Sequence, residues 1–139
     1  MIGIVIVTHC QLGAALLEAA QFVLGSPINA AVSVSVNLKQ SVTLLRKSIA
    51  DAIKSVDNNN GVLVLTDMFG GTPSNLGYSF LKEERVEVVS GVNLPILLRA
   101  CSLREKKDLK TLASEVEAYG KNSICLASAI LNGNKINGA

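Results

Sequence analysis

The sequence has no tryptophan, only two tyrosines and three phenylalanines, and a single histidine. Aromatic residues make up 4% of the chain while hydrophobic ones make up 49%, so a core must come from Val, Ile, Leu and Ala. That palette suits a parallel sheet covered by helices. The cysteines are three, an odd number without metal-like spacing: Cys10, Cys101 and Cys125. A reduced cytoplasm is the simplest setting for them. With one histidine and no Cys/His cluster, a zinc site has no donor set, and no metal is expected. No apolar run approaches the roughly 20 residues of a membrane span. The start of the chain lacks a basic segment, so it reads as a first strand and not as a secretion signal. The net charge of +2 comes from scattered basic and acidic residues, and no concentrated basic patch points to nucleic acid.

At 139 residues the chain has the size of one domain with a real core. We assign residues 1–131 to that domain and 132–139 to a polar, mobile tail.

Ile2 to Thr8 is an unbroken apolar run that ends at His9. It reads as a strand buried on both faces. Leu12, Ala15, Leu16, Ala19, Ala20, Val23 and Leu24 form one face of a helix, which Gly25-Ser26-Pro27 stops. Ala31–Val36 alternates apolar and small polar residues and reads as a strand near a sheet edge. A second helix carries Leu38, Val42, Leu45, Ile49, Ile53 and Val56 on one face. It ends at Asp57–Gly61, residues that tolerate left-handed backbone. Strand three is Val62–Thr66, followed by Asp67-Met68-Phe69-Gly70-Gly71. Thr72 reads as an N-cap and Pro73 as the first residue of a helix through about Leu81.

Strand four is Val86–Ser90, and Asn93 caps a helix through Cys101 with Pro95 in its first turn. Arg104–Lys110 reads as a solvated helix start. Leu109, Leu112, Ala113, Val116 and Tyr119 give the next helix its buried stripe, which Gly120 ends. Ser123–Leu126 has the makings of a short fifth strand at an edge. Four strand–helix units predict an α/β fold, a single doubly wound and mainly parallel sheet with helices on both faces. Strand order 2-1-3-4 makes strands one and three neighbours and puts the switch point between them, where such sheets bind ligands.

His9 and Asp67 then end adjacent strands. A neutral imidazole nitrogen can attack phosphorus when an acceptor holds the proton of the other nitrogen. Asp67 is either that acceptor, stabilising the ring as it becomes positive, or a turn or cap residue; its pairing with the end of strand one favours the first. The N–H groups of Gly71, Thr72 and Ser74, with the Thr72 hydroxyl, are candidates to hold phosphate oxygens. Met68 and Phe69 either tuck into the core or form an apolar patch for a protein partner. A cysteine phosphatase loop would need Arg six positions after Cys10, and Leu16 stands there. No GxGxxG follows strand one and no Walker A motif is present, so no nucleotide cofactor is expected.

On these residues the chain resembles the IIA component of the mannose family of the bacterial phosphoenolpyruvate-dependent sugar phosphotransferase system (PTS). The resemblance spans nearly the whole chain. It rests on Ile4–His9, on Leu65–Asn75 and on Val89–Pro95, the middle block being the most specific. It implies that His9 accepts a phosphoryl group from phospho-HPr and passes it to a cysteine or histidine of a separate IIB component. Membrane IIC and IID proteins would be indirect partners. It further implies that Asp67 orients His9, that Thr72 lies near the phosphoryl group, and that the protein is a homodimer. Cys10 stands where the family usually has Gly. A regulatory protein, whose His9 phosphorylation controls a partner without transport, would use the same site.

Overall fold

The computed structural model describes residues 1–37, 39–68, 70–82 and 84–133. Leu38, Phe69 and the tail beyond residue 133 therefore lie outside the described residues. The elements run β1 (Gly3–His9), α1 (Leu12–Leu24), β2 (Ala31–Val36), α2 (Val42–Val56), β3 (Val62–Thr66), α3 (Thr72–Tyr78), β4 (Val86–Ser90), α4 (Leu94–Leu103), α5 (Leu109–Asn122) and α6 (Ala127–Leu131). The four strands form one parallel sheet in the order β2-β1-β3-β4, as expected.

The pleat sorts the core. Ile4 and Ile6 of β1, with Leu63 and Leu65 of β3, point to one face and pack on Ala20, Ile96, Leu97, Ala100, Leu112 and Val116. Val5 and Val7, with Val62 and Val64, point to the other face and pack on Leu45, Ile49, Val56 and Leu76. Thus α1, α4 and α5 cover one side while α2 and α3 cover the other. The two central strands are apolar at nearly every position because both faces are covered. Each such side chain, removed from water, contributes about 1.5–3 kcal/mol.

Caps follow the sequence in most places. Gly25, with φ 72°, closes α1 through its N–H to Gln21 O, and Asn93 Oδ1 accepts from Ile96 N at 2.9 Å. Other expectations need correction. Gly71 is the N-cap of α3, so Thr72 is its first helical residue and not its cap. That helix ends at Tyr78, short of Leu81. Gly120 does not end α5 but lies inside it, at a point where a Cβ would come within 2.8 Å of Ile96 Cγ2. The glycine lets α5 approach α4.

Residues 123–126 form no strand and lead instead into α6. Arg104, read as solvated, is buried: its guanidinium donates to Asn29 O at 2.6 Å and Ala30 O at 3.2 Å. These bonds and the buried stem tie the α4–α5 turn to the start of β2. The helical stripes are also narrower than periodicity suggests. Leu12, Val23, Leu24 and Val42, all in the first or last turn of their helices, are exposed.

Candidate functional site

The register places Val7 beside Thr66, so β1 outruns β3 and His9 arrives level with the turn that begins at Asp67. The two residues meet twice. His9 backbone N–H donates to Asp67 Oδ2 at 3.0 Å, and the His9 ring contacts the same oxygen through Nδ1 at 2.8 Å. A carboxylate only accepts, so the ring proton sits on Nδ1. The lone pair of the neutral ring is then on Nε2. The His9 side chain is 40% exposed and that of Asp67 only 11%, so the base is sheltered and the imidazole is open to a partner.

The other Asp67 oxygen accepts from Met68 N at 3.0 Å. Burial alone would push the Asp67 carboxyl up. The His9 N–H, the His9 ring and the Met68 N–H outweigh burial and hold it below its ordinary value. The chain turns sharply after His9. Cys10 has φ 50°, in the left-handed region that favours glycine, and its side chain is exposed. Just before the turn, buried Thr8 accepts from Gly13 N through Oγ1 at 2.8 Å, which anchors the start of α1 to β1.

The glycine loop lies against the imidazole. A Cβ on Gly71 would come within 3.2 Å of His9 Cε1 and 3.3 Å of Met68 Cγ. His9, Asp67, Met68 and Gly71 are therefore brought together. Met68 is 54% exposed, which removes the core alternative for that residue. Thr72 is half-buried in the first turn of α3. Ser74 is fully buried and its hydroxyl faces protein groups: Thr66, Ser90 and the Met68 carbonyl. That cluster was not read from the sequence. Its only trace there is a hydroxyl residue at the end of each of two paired strands, Thr66 and Ser90.

Among the described residues no group of three or more His, Cys, Asp or Glu side chains is arranged to hold a metal. Grooves of about 750, 630 and 530 Å³ lie elsewhere, and none of these three is lined by His9 or Asp67. With its side chain 40% exposed, the His9 imidazole is reachable from the surface.

A family model described as PTS system fructose IIA component, EIIA-man, matches residues 3–117. The chain belongs to this family. Its members are phosphotransfer components of sugar uptake systems, and His9, Asp67 and the glycine loop all fall inside the matched span. The PTS fructose-specific EIIA component of Bacillus subtilis is 35% identical over 129 residues, covering 92% of this chain and 88% of that protein. The PTS mannose-specific EIIAB component of Escherichia coli is also 35% identical, over 88% of this chain but only 39% of that longer protein. Among solved structures, the EIIA of Streptococcus agalactiae superposes with a TM-score of 0.82 at 25% identity, covering 93% of this chain and 99% of that one. The mannose/sorbose IIA subunit of Enterococcus faecalis shares the fold at a TM-score of 0.79 and 21% identity, over 90% and 93% of the two chains. The pairing of a strand-end imidazole with a sheltered carboxylate leaves the other ring nitrogen with a lone pair at the surface. Among the described residues no helix is long and apolar enough to cross a membrane.

Proposed function

We propose that this EIIA protein is a phosphocarrier that accepts a phosphoryl group from phospho-HPr on Nε2 of His9 and passes it to a IIB acceptor. One observation carries this reading: the 2.8 Å contact of His9 Nδ1 with Asp67, with the ring exposed beyond it. Nε2 attacks phosphorus as the bond to the donor breaks. The Nδ1 proton stays on the ring, and the Asp67 carboxylate offsets the positive charge that develops. The reverse displacement delivers the group to the acceptor.

In this reading the N–H groups of Gly71, Thr72 and Ser74 and the Thr72 hydroxyl hold the phosphoryl oxygens. Exposed Met68, with its neighbour Phe69, forms part of the docking surface. The functional unit is a domain over residues 1–131 in the cytoplasm, where two copies assemble. Support for assembly comes from the C-terminal segment, where Ile124, Leu126 and Leu131 are 84%, 72% and 85% exposed. Such an uncovered apolar arm suits burial against a second copy. Incubation with enzyme I, HPr and labelled phosphoenolpyruvate tests the function. Label should enter the wild type in acid-labile form and be absent from His9→Gln. Undiminished labelling of the mutant would exclude His9 as the carrier.

A further inference from the structure

Beneath the glycine loop four hydroxyls converge. Thr66 Oγ1 lies 2.7 Å from Ser90 Oγ and 2.9 Å from Ser74 Oγ. Ser90 Oγ lies 3.0 Å from both Ser74 Oγ and the Tyr78 hydroxyl. The Ser74 hydroxyl donates to the Met68 carbonyl. Thr66 and Ser74 are fully buried.

Each hydroxyl has one proton to give. The one on Ser74 goes to Met68 O, because a carbonyl only accepts. The other three hydroxyls have at most three protons for the four hydroxyl–hydroxyl contacts, so at least one of these contacts carries none; the order Tyr78 to Ser90, Ser90 to Thr66, Thr66 to Ser74 is one that fits. The cluster is anchored below as well, since Thr66 O accepts from Gly91 N at 2.9 Å and Val92 N at 2.8 Å.

Met68 is the link to the site. Its carbonyl is held by Ser74, and its N–H donates to the Asp67 oxygen that His9 does not use. The other Asp67 oxygen holds the His9 N–H and ring. A displaced Met68 backbone therefore moves the carboxylate that orients the imidazole. Asp67 has no other described side-chain partner to restrain it.

We propose that Ser74, held by Thr66 and Ser90, is a positioning residue. Its hydroxyl fixes the Met68 backbone and through it the Asp67 carboxylate that sets the His9 tautomer. This role is separate from any contact of its N–H with phosphate. Its kinetic consequence rests on the phosphocarrier reading; its structural consequence does not. The test is Ser74→Ala in the full chain, read by ring ¹⁵N NMR of His9 in the free protein and by the rate of phosphoryl uptake from phospho-HPr. The wild type should show the Nδ1–H tautomer. Ser74→Ala should show a mixture with the Nε2–H form and an uptake rate lower by about tenfold at saturating donor, with the donor KM little changed. Should that variant not fold, Ser74→Cys, close in shape but a weak donor, should move the same readouts in the same direction. An unaltered His9 tautomer with only a lowered melting temperature would overturn the proposal. A wild type that takes up no label, yet loses its tautomer preference in Ser74→Ala, would refute the carrier reading and leave the positioning role standing.

Discussion

Replacing Asp67 by Asn keeps the size of the side chain but removes an acceptor. Asp67 accepts three hydrogen bonds, two from His9 on Oδ2 and one from Met68 N on Oδ1. An amide has one acceptor oxygen. If that oxygen faces His9, the NH₂ group meets the Met68 N–H, donor against donor. If it faces Met68, the NH₂ meets the His9 backbone N–H and drives the ring toward the tautomer whose Nε2 carries a proton and cannot attack. In the first case the exposed Met68 N–H loses its acceptor at little cost; in the second the part-buried His9 N–H does, at about 1–3 kcal/mol. The remaining bonds lose their charge assistance, which roughly halves them. Together about 2–4 kcal/mol of stabilisation leaves the site, so transfer should slow by about 30- to 1,000-fold at 1.36 kcal/mol per decade. Rapid-quench measurement of label passing from phospho-HPr to the variant checks this. A wild-type rate in Asp67→Asn would show that Asp67 is only a turn residue.

The same carboxyl makes an acid-side prediction. Its pKa is lowered in the fold, so its contribution to stability is present above the unfolded value of about 3.9 and is lost as pH falls through the lower folded value. Denaturation in a pH series should therefore show the stability gap between wild type and Asp67→Asn narrowing below about pH 4; a constant gap would contradict the lowered pKa. Gly71→Ala should leave stability within about 0.5 kcal/mol, because φ −83° and ψ 169° suit alanine, yet slow transfer by about 3- to 10-fold, because the new methyl displaces His9. Unchanged transfer with full stability would mean that the imidazole tolerates the shift. Cys10→Gly relieves about 1–2 kcal/mol of left-handed strain against about 0.4–1 of added chain entropy in the unfolded state. Urea midpoints should show neutral to slightly raised stability, and a loss above 1 kcal/mol would be inconsistent with strain at that residue. Phe69→Ala should raise the apparent KM for phospho-HPr while leaving the melting temperature nearly unchanged; a cavity cost of about 3–5 kcal/mol with normal transfer would place Phe69 in the core.

The parts of the fold legible in the sequence were those where one physical cause dominates. The continuous apolar runs of β1 and β3 can be buried on both faces only at the centre of a parallel sheet. Once those strands are central, His9 and Asp67 must end side by side. Other features depend on partners distant in the chain. Arg104 sits in a run of charges that reads as solvated, and only the folded chain presents the Asn29 and Ala30 carbonyls to its guanidinium. Gly120 looks like a helix stop, but the space it leaves serves Ile96 on α4. Ser74 offered an N–H as part of a helix start. Its hydroxyl role depends on Ser90, which the β3–β4 register brings beside Thr66. The β-like composition of residues 123–126 carries no strand, because β-propensity acts through packing neighbours and this segment is mostly exposed.

The central claim is that Asp67 reserves Nε2 of His9 for phosphorus. Heteronuclear ³¹P–¹⁵N NMR of the chain, phosphorylated by enzyme I, HPr and phosphoenolpyruvate, tests it most directly. The predicted result is one acid-labile phosphorus signal coupled to Nε2 of His9, with the proton retained on Nδ1 beside Asp67. Phosphorus on Nδ1, on another residue, or absent altogether would contradict it.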